Sequence, residues 1–156
     1  MRSTNFWLLA LLAFSTAATA AAQTQVLTVV APARLTIKKS EPVTAKLQLQ
    51  LRPGYHVNSN TPSDEYMIPL KLTWEAGPVE AREVIFPKPH MEKSEFAEKP
   101  LSVFTGEFEI VTRLAAKPTA SSGLGILNGK LRYQACNDKM CLPPKTLEVK
   151  LTYEIK

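Results

Sequence analysis

From Val43 to Arg52 apolar and polar residues alternate without a break. Val43, Ala45, Leu47, Leu49 and Leu51 fall on one side, and Thr44, Lys46, Gln48, Gln50 and Arg52 on the other. A period of two is the signature of a β-strand with one face buried and one in water, and a helix cannot present it. The C-terminal segment repeats the pattern: Leu147, Val149, Leu151, Tyr153 and Ile155 alternate with Glu148, Lys150, Thr152 and Glu154. Phe108, Ile110 and Thr112 against Glu107, Glu109 and Arg113 make a third such run, and Leu131, Tyr133 and Ala135 against Lys130, Arg132 and Gln134 a fourth. Less regular strand candidates cover 25–30, 33–38, 68–74 and 79–86, the third of them edge-bound or late-starting because Pro69 cannot donate to a ladder.

Turn signals punctuate these runs at Pro53-Gly54, Gly77-Pro78, Pro87 to Pro89, Ser121 to Gly125 and Pro143-Pro144. No long stretch has helical periodicity and no internal repeat is present. About seven to nine strands in a chain of this size predict an all-β fold, an immunoglobulin-like antiparallel β-sandwich of two sheets packed face to face. Two connections, Pro53 to Glu65 and Pro87 to Pro100, are longer than a sandwich needs, and long connections tend to be functional or disordered. The second carries an isolated aromatic, Phe96, in a polar setting, so its ring must pack back onto the body or meet a partner.

The N-terminus sets the compartment. Arg2 precedes a short apolar run, Phe6 to Phe14, and a small-residue stretch ending Ala20-Ala21-Ala22. That order predicts a secretory signal peptide over 1–22, cleaved after Ala22 or Ala20. The apolar run is shorter than the roughly 20 residues of a spanning helix. The mature chain, 23–156, is then one exported domain in a disulfide-permissive compartment, and not an integral membrane protein. Losing Arg2 takes the net charge from +5 to +4. The cations are scattered among acids, as in 93–99, with no arginine-rich stripe, so nucleic acid is excluded as a partner.

The chain has two cysteines, Cys136 and Cys141, with four residues between them. A strand leads into the first and another resumes after Pro144. If those strands pair, the Cα atoms come within the ~5.5–6 Å that a disulfide prefers. Closing so short a loop contributes only about 2 kcal/mol in the chain-entropy picture. A pair at a sandwich end is better placed for exchange with another thiol pair than for holding the fold, although a structural staple remains open. A metal site is a third alternative. Zinc would need His56 and His90, which are remote and lack ligand spacing, and copper would need Met140, Met91 or Met67. No metal and no other cofactor is expected. Lys139 and Lys145 favour a thiolate at the pair, and Asp138 opposes it.

The segment Tyr133-Gln134-Ala135-Cys136-Asn137-Asp138-Lys139-Met140-Cys141-Leu142-Pro143-Pro144 resembles the active-site segment of the N-terminal periplasmic domain of the DsbD thiol:disulfide interchange family. Gly54-Tyr55-His56-Val57-Asn58 and Ser94-Glu95-Phe96 support the resemblance, which spans the whole mature chain. It implies an immunoglobulin-like fold and a periplasmic, cofactor-free dithiol relay. Electrons would pass from a thioredoxin-like donor to oxidised periplasmic thiol proteins, with a part in cytochrome c maturation. It implies a cap loop of Ser94, Glu95 and Phe96 over the cysteines, Cys141 as the sulfur that forms mixed disulfides, Cys136 as its resolving partner, and Tyr55, Tyr133 and Met140 as site-lining residues. The cysteine spacing is one residue shorter than is usual in that family, so redox poise does not carry over. The membrane electron channel and thioredoxin-like domain that follow in that family would come from other polypeptides, to which this domain would dock. The rival from another class is a non-redox exported binding module with a permanent disulfide.

Overall fold

The computed structural model describes residues 25–94 and 97–156, and every regular element among them is a β-strand. In chain order these are β1 (Leu27–Val30), β2 (Leu35–Ile37), β3 (Val43–Leu51), β4 (His56–Asn58), β5 (Lys71–Trp74) and β6 (Val79–Ile85). They are followed by β7 (His90–Glu92), β8 (Leu101–Thr105), β9 (Glu107–Ala116), β10 (Gly123–Tyr133), β11 (Ala135–Cys136) and β12 (Lys145–Ile155). The fold is all-β and immunoglobulin-like, built on antiparallel sheets.

The alternation in β3 is realised residue by residue. Ala45, Leu47, Leu49 and Leu51 are buried, while Thr44, Lys46, Gln48 and Gln50 are exposed. One sheet has the order β1-β3-β9-β6 and a second the order β2-β12-β10-β5, antiparallel except where β2 runs parallel to β12. Their buried faces meet in a single core that includes Leu47, Ile110, Leu131 and Leu151. Trp74 ties the two sheets by donating its indole N–H to Thr112 Oγ1 at 3.2 Å. As Pro69 requires, β5 starts late, at Lys71, and lies at a sheet edge.

A third small sheet, β11-β4-β8-β7, departs from the two-sheet expectation and raises the strand number to twelve among the described residues. Its strands lie where the sequence shows long connections: β4 inside Pro53 to Glu65, and β7 inside Pro87 to Pro100. The physical reason is burial. All three residues of β4 and the first four of β8 are buried, whereas all of β7 is exposed, so none of these strands alternates. The Ser121–Gly125 turn is also shorter than expected, because β10 already begins at Gly123. Gly129 belongs to the strand itself: a Cβ there would lie 2.6 Å from the Trp74 ring, which therefore packs across bare backbone.

The β10–β12 hairpin delivers the cysteines. It is in continuous register from Gly123↔Ile155 to Tyr133↔Lys145. Beyond that point Pro143 and Pro144 have no N–H to donate, so the ladder stops. The tip leaves the second sheet, and Ala135-Cys136 pairs instead with Val57 and His56 of β4.

Candidate functional site

The tip is a tight hairpin built around Asn137. Its backbone N–H donates to the Met140 carbonyl at 2.9 Å, and the Leu142 N–H donates to the Ala135 carbonyl at 2.8 Å. Its side-chain oxygen accepts the N–H groups of Lys139 and Met140, both at 2.9 Å, an Asx turn that shapes the loop. The two backbone bonds flank Cys136 and Cys141 and leave them as a directly opposed pair without a mutual hydrogen bond. Side chains approach most closely at such a pair. The Cα atoms are 3.9 Å apart, closer than the spacing expected from sequence, and the sulfurs are joined in a disulfide.

The two sulfurs are unequal. Cys136 belongs to β11, lies against β4, and is only 4% exposed. Cys141 is on the outer arm of the hairpin and is exposed. Cys141 is thus the more accessible of the two residues, although both reach the same groove. Both cysteines open onto a groove of about 490 Å³, with Asn58, Gln134, Tyr66 and Met67 among its lining residues.

The wall carrying Tyr66 and Met67 is pinned from below. Asn58 donates its amide to the Ile68 carbonyl at 3.1 Å. Ser63 Oγ donates to the Pro100 carbonyl at 2.7 Å and accepts the Ser102 N–H at 2.8 Å. The hydroxyls of Ser59 and Ser102 meet at 2.8 Å in the interior. The 59–70 segment is therefore fastened to β4 and β8 while Tyr66 stands 86% exposed beside the disulfide. Sequence reasoning missed Tyr66, and its signal was an aromatic next to a methionine within the polar run Ser63-Asp64-Glu65.

The other residues singled out from sequence are distributed around this groove. Met140 is exposed at the hairpin tip. Tyr133 points into the core from β10, and burial raises its hydroxyl pKa above the ordinary value of 10.0, so it stays protonated and supplies no base. Tyr55 is half-buried against the core and lines a neighbouring groove with His56, Glu92 and Asp138 instead of the one at the sulfurs. Ser94 lines a third groove with His56 and the tip residues Asn137 to Lys139, and Ala97 to Lys99 form part of the cysteine groove. Glu95 and Phe96 lie outside the described residues. Among the described residues no group of three or more His, Cys, Asp and Glu side chains is arranged to hold a metal ion.

The fold and the site together define an immunoglobulin-like domain with a cysteine pair at disulfide distance beside a groove. Residues 23–153 match the family model described as the N-terminal domain of thiol:disulfide interchange protein DsbD, and the chain belongs to that family. Among solved structures it is similar to the N-terminal periplasmic domain of ScsB from Proteus mirabilis, at 19% identity and a TM-score of 0.54. That match covers 80% of this chain and 44% of the ScsB chain, so this chain corresponds to less than half of it. It is also similar to the reduced N-terminal domain of Neisseria meningitidis DsbD, at 18% identity and a TM-score of 0.45, over 70% of this chain and 80% of that one. At these identities the likeness shows the fold alone. No curated protein matches the chain. No helix among the described residues is long and apolar enough to cross a membrane.

Proposed function

We propose that this domain, exported through the signal peptide 1–22, relays electrons in the periplasm from a thioredoxin-like donor to oxidised thiol proteins through Cys136 and Cys141. The observation that carries this is the unequal exposure of the two sulfurs at the mouth of one groove. A donor thiolate attacks Cys141 Sγ, the S–S bond breaks, and its electron pair leaves on Cys136. The donor's second thiolate then attacks the mixed disulfide and releases Cys141, so the donor ends oxidised and this domain ends as a dithiol. In the forward half, the Cys141 thiolate attacks a substrate disulfide, and Cys136 resolves the intermediate by attacking Cys141 Sγ. Two electrons move in each half without a cofactor. A membrane electron-transfer protein would present the donor domain.

The test is the reduction potential of the purified mature protein, equilibrated against glutathione with the thiols trapped afterwards. A value between those of thioredoxin, about −270 mV, and of strong periplasmic oxidants, about −120 mV, is expected for a pair that cycles. A value below about −300 mV, with no exchange with a thioredoxin-like protein, would make the disulfide permanent and the domain a binding module.

The cap belongs to the same proposal, with Ser94, Glu95 and Phe96 covering the sulfurs until a partner displaces them. Its support is that the flanks of this loop, Ser94 on one side and Ala97 on the other, line grooves formed by the cysteine hairpin. An apolar ring seated on the disulfide would hold the loop closed by about 1.5–3 kcal/mol. Phe96→Ala is therefore expected to speed reduction by a small dithiol by about tenfold or more. Reduction by a thioredoxin-like protein, which displaces the loop itself, should change less. Equal acceleration of both rates would remove the cap from the mechanism.

A further inference from the structure

Opening the disulfide places an electron pair on the less accessible sulfur. Cys136 is 4% exposed, and a thiolate so covered is disfavoured unless a cation or proton donor meets it. The third sheet sets a histidine opposite this cysteine in the ladder. Cys136 of β11 and His56 of β4 are directly opposed in an antiparallel pair. Such partners project from the same face with Cβ atoms about 4.5–5.5 Å apart. Asn58, two residues along β4 and so on the same face, lines the cysteine groove together with Cys136. His56 is itself 8% exposed, and its Nδ1 lies 3.8 Å from the Glu92 carboxylate of β7.

We propose that His56 is the cationic hydrogen-bond donor to the Cys136 Sγ thiolate when the disulfide opens, and that Glu92 is a positioning residue that holds the imidazole with Nδ1 turned away and Nε2 directed to the sulfur. The proposal deepens the exchange mechanism and rests on it. As the donor thiolate bonds to Cys141 Sγ, the S–S electron pair moves to Cys136 Sγ. The imidazolium keeps its proton and meets that thiolate through a charge-assisted hydrogen bond. In the resolving step Cys136 attacks as this thiolate. The charged and titratable groups facing His56 are Glu92 from β7, Lys93 and Ser94 after it, Asp138 and Lys139 from the hairpin tip, and Arg52 and Tyr55 before β4. Two of these are carboxylates, and that of Glu92 lies 3.8 Å from the ring nitrogen.

The experiment is a thiolate titration of Cys136 in the Cys141→Ser protein, followed by ultraviolet absorbance, with His56→Gln or Glu92→Gln added. His56→Gln is expected to move the thiolate midpoint up by about one pH unit or more, as loss of a close cation does. Glu92→Gln, at a side chain that is 46% exposed, is expected to move it up by less, because the imidazolium loses its partner. A carboxylate acting on the sulfur directly would have the opposite sign, since its removal would lower the midpoint. An unchanged midpoint in His56→Gln, or a lowered one in Glu92→Gln, overturns the proposal. If His56→Gln does not fold, the sign of the Glu92→Gln shift decides. No redox partner enters this titration, so it can fail while the relay stands, and the relay can fail at the reduction potential while Cys136 and His56 remain coupled.

Discussion

Cys136→Ser is expected to accumulate a stable mixed disulfide through Cys141 with a thioredoxin-like partner that keeps only its attacking cysteine, whereas Cys141→Ser is expected to lose exchange by several orders of magnitude. Each variant keeps one thiol, so a purely chemical view would make them equivalent. Their surroundings make them different. Cys141 is exposed on the outer arm of the hairpin, while Cys136 is paired to β4 and 4% exposed. In-line attack on a sulfur needs a clear approach, and only one of the two offers it. With Cys136 absent, nothing within the domain can resolve the adduct on Cys141. With Cys141 absent, the remaining thiol is screened by the strand that carries His56. The measurement is non-reducing electrophoresis and mass spectrometry after mixing each variant with a thioredoxin-like partner whose second cysteine is replaced by serine and whose remaining cysteine is carried as a disulfide with a small aromatic thiol, the leaving group of the exchange. Adducts forming on Cys136 as fast as on Cys141 would mean that the asymmetry has no role in exchange.

How much of this was legible in the sequence follows from how each strand is buried. β3 and β12 keep one wet face, so alternation announces them with little error at either end. β4 has no wet face, and β7 has nothing else, so neither carries a period. The sheet missed for this reason is the one that receives Cys136. Within the site, the cysteines were readable because the spacing and the flanking strands leave few other uses for them. Tyr133 shares a strand with Leu131 and faces the core with it, and the change of sheet after Gln134 separates it from the groove. Tyr66 and Met67 reach the groove through bonds from Ser63 and Asn58 to residues distant in sequence, and no local pattern encodes those. The pairing of His56 with Cys136 is likewise a matter of register between short strands, invisible without the third sheet.

The fold itself should be nearly indifferent to the redox state, and Leu131→Ala provides the scale. Leu131 is fully buried in β10, opposed to Leu147 of β12 on one side and Leu72 of β5 on the other. A strand on either side fixes its surroundings, so a cavity left there can collapse only in part, and a cost of about 2–5 kcal/mol is expected. Reducing Cys136–Cys141 instead releases a loop with a sequence separation of 5. Loop-closure entropy for so short a span is worth about 2 kcal/mol at most, because the unfolded chain gains little freedom when it opens. The tip also keeps holds that do not involve sulfur: the Ala135–Leu142 and Asn137–Met140 backbone bonds, the Asn137 turn, and the pairing of β11 with β4. Urea unfolding of the oxidised and reduced wild type and of Leu131→Ala checks this, with the midpoints converted through a common slope. A larger loss on reduction than on Leu131 truncation would make the disulfide a staple. A smaller one means that the sandwich holds the hairpin in place while its terminal bond opens and closes, which a relay requires and a staple does not.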